Sequence, residues 1–278
     1  MTPTNSRRST ILLLLALSVA LAIRYGVPDS ASHDSEAPDG GDSYMRAAVY
    51  DNEGAWNESV AALTRLLTWM NYTVETVDSA AINSGALDGL SLLCVPGGDM
   101  YQYSQSLGAA GKRRVRGFVE EGGGYLGVCG GAYFSLDTVV WRGRTLPMEL
   151  LRLVPGTAVG PMDELAPYPG YAMTEVAYTG QGRGFFEGLG ESAWMLYYWG
   201  PALMVEESPG VSILGVYGGN GLPAVVVSER GSGRVALVGS HPEIEENDAR
   251  DGSMWGRGLD DRGSDWPMLE RLVAWVEG

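Results

Sequence analysis

The first half of the chain alternates short apolar runs with longer stretches in which apolar residues recur at helical spacing. Apolar runs bounded by turn residues predict β-strands over 46–50, 73–77, 90–95 and 124–128. A helix is predicted over 56–70, where Val60 and Leu63 share one face. Two more helices are predicted, over 111–121 and directly behind Cys129. Strands that alternate with helices indicate an α/β fold: a flavodoxin-like, doubly wound, mostly parallel sheet with helices on both faces and ligands at the carboxyl ends of its strands.

Beyond residue 145 the pattern changes to short strand-like runs separated by glycine-rich turns. These runs lie at 171–177, 193–198, 211–217, 224–227 and 234–238. A final helix is predicted over 266–276. Short strands joined by tight turns favour antiparallel pairing, so we expect this half to be an antiparallel extension of the same sheet. The folded domain is predicted to run from 44 to 278.

The N-terminal segment differs from the rest of the chain. Arg7 and Arg8 precede an apolar run over 11–23, and Ala20-Leu21-Ala22 offers a small-residue cleavage site, the three-part layout of a secretory signal. The run has thirteen residues, whereas a membrane-spanning helix needs about twenty. Residues 1–28 are therefore predicted to be an export signal, with an uncleaved membrane anchor as the alternative. We expect an exported protein that is extracellular, at the cell surface or periplasmic, and tethered through 11–23 if the leader stays uncleaved.

Residues 29–43 lack large apolar side chains and are rich in Ser, Asp, Gly and Pro, so they are predicted to be a disordered linker. The whole chain has 34 acidic and 19 basic residues, which gives a formal net charge of −15. Such a charge repels phosphates and argues against a nucleic-acid partner. Lys112 is the only lysine. The acidic excess indicates either a high-salt source or an ordinary acidic surface.

Two charged clusters are interpreted as solvent-exposed surface. A basic group, Lys112 to Arg114 with Arg116, is predicted to form the outer face of an amphipathic helix. An acidic run near the C-terminus misses the spacing of a calcium-binding loop and is predicted to be a solvated face, so no metal is expected. Its members are Glu243, Glu245, Glu246, Asp248, Asp251, Asp260 and Asp261.

The most informative motif is Gly127-Val128-Cys129-Gly130-Gly131, which lies behind a predicted strand and ahead of a predicted helix. A glycine two positions before and two after a cysteine is the pattern of a nucleophile elbow, a sharp turn that lifts the nucleophile above the sheet. The flanking glycines leave room where Cβ atoms would clash. The motif predicts an exposed and strained Cys129, with the N–H of Gly130 directed at an oxyanion.

A thiol becomes a strong nucleophile when a base takes its proton. Of the two histidines, His33 lies in the polar linker, which leaves His241 at the end of a predicted strand. Glu243 can face the same side as His241, because side chains of extended backbone repeat with period two, and can therefore orient the imidazole. Pro96-Gly97-Gly98 follows another predicted strand, and its glycines allow a backbone amide to turn inward as the second oxyanion donor.

The second cysteine, Cys94, is interpreted as a core residue of an apolar strand. A disulfide between Cys94 and Cys129 is the alternative in an oxidising compartment, because the two predicted strands would be near neighbours. Such a bond would bury the nucleophile.

Together these motifs resemble the class I glutamine amidotransferase-like superfamily, and within it the amidotransferase-like domain at the N-terminus of biotin-protein ligases. The resemblance spans about 47 to 243. The motifs that carry it lie at 49–50, 53–54, 95–99, 125–134, 155–156, 197–200 and 241–243.

The resemblance implies roles for individual residues. The implied nucleophile, base and orienting acid are Cys129, His241 and Glu243. The implied oxyanion donors are Gly98 and Gly130. The candidate substrate contacts are Asp99, Tyr133 and Tyr198. Where the family usually reads Tyr-Tyr-Asn-Gly, this chain has Trp199 in place of the Asn, so the contact made there is not carried over. No cofactor is implied.

These residues predict a thiol-dependent, amidotransferase-like enzyme with a Cys-His-Glu triad that acts on a small amide or acyl compound. One alternative is a non-catalytic ligand-binding or sensing module on the same fold. A second is a DJ-1-type peptidase or carbonyl-handling enzyme, for which Glu53, near the end of the first strand, is the candidate acid. The chain ends 35 residues after Glu243, so we expect no synthase or ligase domain.

Overall fold

The computed structural model describes residues 45–244, 250–256, 258–259 and 262–278. The predicted leader over 1–28 and the linker over 29–43 lie outside these ranges, so export and membrane tethering stay predictions. Five members of the acidic run also lie outside them: Glu245, Glu246, Asp248, Asp260 and Asp261. Within the described ranges, no helix combines the length and the apolar character needed to cross a membrane.

The described part of the chain forms six helices and thirteen strands. The helices are α1 (Asn57–Trp69), α2 (Ser79–Asn83), α3 (Met100–Glu120), α4 (Gly130–Ser135), α5 (Gly180–Phe185) and α6 (Trp266–Glu277). The strands of the first half are β1 (Arg46–Tyr50), β2 (Thr73–Val77), β3 (Leu92–Val95), β4 (Gly124–Val128), β5 (Thr138–Trp141) and β6 (Arg144–Thr145). The remaining strands are β7 (Thr157–Gly160), β8 (Ala172–Tyr178), β9 (Ser192–Tyr197), β10 (Ala202–Met204), β11 (Val211–Tyr217), β12 (Pro223–Arg230) and β13 (Gly233–Val238).

Nine strands form the main sheet, in the order β2-β1-β3-β4-β13-β12-β11-β8-β9. The pairings from β2 to β13 are parallel, and those from β13 to β9 are antiparallel. This confirms the predicted α/β class with a parallel core and an antiparallel extension. A second sheet, β10-β7-β5-β6, was not predicted from the sequence.

The two faces of the main sheet bury alternate residues of each parallel strand. In β1, Ala47 and Val49 join a cluster with Leu63 of α1 and the apolar face of α6. Ala48 and Tyr50 join a second cluster with residues of α2 and α3. This follows from the period-two geometry of a strand, which directs successive side chains to opposite faces. Both faces are therefore covered by helices, as expected of a parallel sheet.

Helix α3 begins at Met100, well before the predicted start at 111. The carboxylate of Asp99 explains the earlier start, because it accepts hydrogen bonds from the N–H groups of Tyr101 and Gln102 and caps the helix. At Gly108 the backbone adopts φ 61° and ψ −176°, so two helical segments meet there. A glycine at this point weakens the helical pattern that the sequence shows.

The basic cluster of α3 was predicted to be wholly exposed, which is wrong for Lys112, since only 2% of its surface is exposed. Its Nζ donates to the hydroxyl of Ser104 at 3.0 Å, to the backbone oxygen of Glu149 at 3.2 Å and to the carboxylate of Glu149 at 3.3 Å. Arg113 and Arg114 are exposed, as predicted. The buried ammonium thus fastens α3 to the segment between β6 and β7.

The acidic run was predicted to be a solvated face, which is wrong for its two described members. Glu243 and Asp251 are buried. Within the described ranges no group of three His, Cys, Asp or Glu side chains is arranged to hold a metal ion. Cys94 is a fully buried core residue of β3, as predicted, and both it and Cys129 are free thiols.

We predict that Lys112→Met lowers the free energy of unfolding by about 1–3 kcal/mol, because Met keeps the buried stem but removes three charge-assisted hydrogen bonds. The measurement is urea unfolding of both proteins. The matched control is Arg113→Met, which changes the neighbouring, exposed residue. For it we expect a change in the free energy of unfolding within about 0.5 kcal/mol. Equal losses in the two variants would contradict a structural role for the buried ammonium.

Candidate active site

Cys129 occupies the turn between β4 and α4, at the carboxyl end of the parallel strands. Its φ of 46° and ψ of −100° lie outside the regions that non-glycine residues favour. Such a conformation costs about 1–3 kcal/mol and persists only where its surroundings enforce it. Two backbone hydrogen bonds do so: Cys129 N–H donates to the oxygen of Val238 at 2.8 Å, and Tyr133 N–H donates to the oxygen of Cys129 at 2.9 Å. The turn therefore holds the thiol at the end of the sheet. The prediction of an exposed Cys129 is wrong, because packing around the turn leaves only 6% of its surface exposed.

The glycines around this turn are required by the close approach of backbone segments. A Cβ on Gly127 would lie 2.9 Å from the carbonyl of Gly131, and one on Gly131 would lie 2.1 Å from the oxygen of Val95. A Cβ on Gly130 would lie 2.3 Å from the oxygen of Gly98. The turn at the cysteine thus packs directly on the loop that follows β3.

This packing brings Gly98 close to Gly130, since a Cβ on Gly130 would lie 2.7 Å from the backbone nitrogen of Gly98. Within the described part of the chain, neither the N–H of Gly98 nor that of Gly130 donates to a backbone carbonyl. Gly130 is the first residue of α4, where a helix has no internal acceptor for its N–H groups, and Gly98 lines a cavity next to Cys129. Two such donors are the arrangement that stabilises an oxyanion.

His241 and Glu243 follow β13 and are both buried. Nδ1 of His241 lies 2.9 Å from Oε1 of Glu243. The backbone N–H of His241 donates to the oxygen of Leu196 at 2.8 Å, and the ring packs edge-on against Trp56 with 5.0 Å between centroids. These contacts fix the imidazole, and its second nitrogen, Nε2, has no hydrogen-bond partner within the described residues.

A serine in α1 joins this pair to the loop after β3. The hydroxyl of Ser59 donates to Oε1 of Glu243 at 2.6 Å and accepts from the N–H of Gly97 at 2.9 Å. Gly97 also contacts the imidazole closely, since a Cβ there would lie 2.4 Å from Cε1 of His241. Ser59 is completely buried. One hydroxyl therefore connects the histidine–glutamate pair to the loop that carries Gly98.

The pKa of His241 is set by opposing effects. Burial lowers it, but the negative charges of Cys129 and Glu243 outweigh burial and raise the pKa to about 10. Cys129 raises the pKa chiefly through its charge, and its Sγ also contacts the backbone oxygen of Tyr198 at 3.6 Å. At neutral pH the pair is thus an imidazolium held by a carboxylate, a charge that stabilises a neighbouring thiolate.

Cys129 and His241 open into a cavity of about 560 Å³. A cavity of this size suits a small organic molecule. Its walls are mainly aromatic and are formed by Trp56, Tyr133, Trp141, Tyr168, Tyr198 and Trp199.

The structure brings the three candidate substrate contacts, Asp99, Tyr133 and Tyr198, to this one cavity. Two of them have polar groups already bonded within the protein. The carboxylate of Asp99 caps α3, and the hydroxyl of Tyr133 donates to the backbone oxygen of Trp199 at 3.0 Å. The ring of Tyr198 packs against Trp56 and Trp199, with 5.5 and 4.4 Å between centroids. Asp99 and Tyr133 therefore shape the cavity more than they offer hydrogen bonds to a ligand.

Some residues of the site differ from the sequence-based expectations. Glu53, the candidate acid of the DJ-1-type alternative, is exposed and does not line the cavity. Ser59 was missed, since its only sequence signal is a polar residue on the apolar face of α1. The rings of Trp56, Trp141 and Tyr168 were also missed, because they come from segments far apart in the sequence.

Comparisons with known proteins show the family and the fold of the chain. The chain matches the family model described as biotin-protein ligase, N terminal, over residues 45–256. It is 24% identical over 218 residues to a biotin-protein ligase of Schizosaccharomyces pombe, an alignment that covers 72% of this chain and 33% of the yeast protein. The chain therefore spans about a third of the length of that ligase.

Solved structures show the same fold at low sequence identity. A GMP synthase-like protein of Thermoplasma acidophilum has a TM-score of 0.51 at 16% identity, covering 83% of this chain and 93% of its own. A β-galactosidase of Bacillus circulans has a TM-score of 0.52 at 17% identity, covering 84% of this chain and 31% of its own. At such identities the likeness concerns the fold alone.

We predict that Ser59→Ala lowers the free energy of unfolding by about 1–3 kcal/mol, because the buried N–H of Gly97 loses its acceptor and the carboxylate of Glu243 loses a donor. Chemical denaturation measures the loss. The matched control is Thr68→Ala in the same helix, whose exposed hydroxyl donates only to the backbone oxygen of Thr64; there we expect a change within about 0.5 kcal/mol. A Ser59 variant as stable as the control would contradict the connecting role of the hydroxyl.

Proposed function

The chain belongs to the family of biotin-protein ligase N-terminal domains, and on this premise we propose that it is a cysteine-dependent hydrolase of a small amide or related acyl compound. Its amidotransferase-like fold supports the proposal. In this reaction Cys129 is the nucleophile, His241 is the base and Glu243 orients the imidazole.

The reaction proceeds in two halves. His241 takes up the proton of the Cys129 thiol before the substrate binds, and the thiolate Sγ attacks the carbonyl carbon of the substrate. The carbonyl electron pair moves onto the oxygen, which accepts hydrogen bonds from the N–H groups of Gly98 and Gly130. The carbon–nitrogen bond then breaks, and the leaving nitrogen takes the proton from His241. This half leaves a thioester on Cys129 and releases an amine.

Water completes the second half. His241 takes a proton from a water molecule, whose oxygen attacks the thioester carbon. The carbon–sulfur bond breaks and restores the thiolate beside the imidazolium. The product is a carboxylic acid, and the enzyme returns to its starting state without a cofactor.

One observation carries the proposal: a buried histidine–glutamate pair, with the pKa of His241 raised by its neighbours, lies at the same cavity as a cysteine held in a strained turn. The carboxylate stabilises the imidazolium and fixes its orientation without taking its proton. A binding site has no need of a buried ion pair of this kind, since burying charges is unfavourable.

A second candidate is a ligand-binding module that keeps the cavity without turnover. One observation favours it: Sγ of Cys129 is bonded to the oxygen of Tyr198, while Nε2 of His241 has no hydrogen-bond partner in the described part of the chain. Catalysis requires the thiol to turn from that carbonyl towards the imidazole. Catalytic hydrogen bonds commonly form only in the substrate complex, so the unliganded geometry is compatible with either candidate.

We predict that the activated ester p-nitrophenyl acetate acetylates Cys129. The wild type should release a burst of p-nitrophenolate stoichiometric with protein, and its intact mass should rise by one acetyl group. Cys129→Ala should abolish both signals, and His241→Gln should slow acetylation by about a hundredfold or more, because the general base is lost.

The matched control is Cys94→Ala, which removes a thiol from the core and should leave the burst intact. Acetylation that persists in Cys129→Ala would overturn the assignment of the nucleophile. A wild type that binds the ester and is not acetylated would favour the ligand-binding module.

A further inference from the structure

Aromatic rings that contact one another form a wall of the cavity at Cys129. This aromatic wall consists of Trp56, Trp141, Tyr168, Tyr198 and Trp199. Tyr198 packs against Trp199 with 4.4 Å between ring centroids, and Trp199 packs against Tyr168 at 4.8 Å. The chain of contacts continues from Tyr168 to Trp141 at 6.3 Å. On the other side of the site, Trp56 contacts both Tyr198 and the imidazole of His241. Flat ring surfaces therefore extend from the reacting groups along the cavity.

Three polar groups that line the cavity are already bonded within the protein. Nε1 of Trp199 donates to the backbone oxygen of Gly170 at 3.1 Å. The hydroxyl of Tyr133 donates to the backbone oxygen of Trp199. The carboxylate of Asp99 accepts from two backbone N–H groups and from the side-chain amide of Gln102 at 2.9 Å. A ligand that lies against these residues meets mainly carbon.

The charges around the cavity also favour an uncharged ligand. No lysine or arginine is among the described residues that line the cavity. Arg142, whose guanidinium lies 4.6 Å from the ring centroid of Tyr168, is not part of the lining. The imidazolium of His241 is the one cation among the described lining residues, and it is already paired with the carboxylate of Glu243. A carboxylate or phosphate would therefore lose its hydration there without gaining an unpaired cation, which is unfavourable. Free glutamine carries such a carboxylate and is poorly matched to this cavity.

We propose that the substrate carries a flat, uncharged acyl group, such as a substituted benzoyl group, that lies against the aromatic wall while its carbonyl reaches Cys129. This inference rests on the proposed hydrolase function and specifies its substrate class. Aromatic pairs add stabilisation beyond the area that they bury. The rings of Trp199 and Tyr168 therefore select the acyl group, and Cys129 and His241 perform the chemistry.

The experiment compares three alkylating reagents on the whole protein: iodoacetanilide, iodoacetamide and iodoacetate. Each forms one carbon–sulfur bond with Sγ of Cys129 and releases iodide, and they differ in carrying a flat ring, a small neutral group or a negative charge. Rates at Cys129 are read by mass spectrometry and divided by the rate of the same reagent with a free thiol. We expect iodoacetanilide to exceed iodoacetamide by at least about tenfold in this ratio, since burial of one ring contributes that much or more, and iodoacetate to be the slowest.

Variants test the wall directly. Trp199→Ala and Tyr168→Ala should each reduce the preference for iodoacetanilide severalfold. The matched control is Trp69→Ala, which removes an exposed ring in α1 that does not line the cavity and should leave the preference unchanged. Equal normalised rates for iodoacetanilide and iodoacetamide would overturn the proposal, as would a preference for iodoacetate.

A binding measurement on the wild type keeps this proposal separate from the proposed function and needs no variant. Benzanilide, an aromatic amide of the proposed class, should change the fluorescence of the tryptophans in the cavity saturably, and free glutamine should not. If Cys129 is inert to every reagent and benzanilide still binds, the hydrolase function fails and the assignment of the cavity stands. If Cys129 reacts without preference and benzanilide does not bind, the assignment fails and the nucleophile stands.

Discussion

The buried carboxylate of Glu243 is the group on which the arrangement of the site depends. A carboxylate removed from water is unfavourable unless hydrogen bonds and a counter-charge compensate. Here the compensation comes from the hydroxyl of Ser59 at 2.6 Å and from the imidazole of His241 at 2.9 Å. Because Ser59 also accepts the N–H of Gly97, one carboxylate holds together α1, the loop after β3 and the segment after β13.

The turn at Cys129 is the second constraint, and it depends on the first. Its strained backbone is held by hydrogen bonds with Val238 and Tyr133, and the turn packs on the loop after β3, where a Cβ on Gly130 would collide with Gly98. That loop is in turn positioned by Ser59 through the N–H of Gly97. The contacts of Glu243 and Ser59 therefore help to position the thiol, the imidazole, and the N–H groups of Gly98 and Gly130. This support holds the groups in position before the substrate binds. In the proposed reaction they therefore need less reorganisation than free groups in water would.

The sequence allowed the main fold to be predicted because its apolar, strand-like runs lie between glycine-rich turns, as in the strand Val211–Tyr217. It also pointed to Cys129, His241 and Glu243, whose residue types are rare or stand in a distinctive motif. It could not reveal Ser59 or the burial of Lys112, because a side chain's partner is set by tertiary contacts that leave no local pattern. The rings of Trp56, Trp141 and Tyr168 escaped for the same reason, since they come from segments far apart in the sequence.

The most direct test is the pH dependence of Cys129 alkylation by iodoacetamide, read by mass spectrometry in the wild type and in His241→Gln. Burial raises the pKa of the Cys94 thiol, so Cys94 should stay unlabelled and serve as the internal reference. Because the raised pKa of His241 keeps the imidazole charged up to about pH 10, the wild type should react much faster than the variant at neutral pH, and the difference should shrink above that pH. Equal rates at neutral pH would contradict the account.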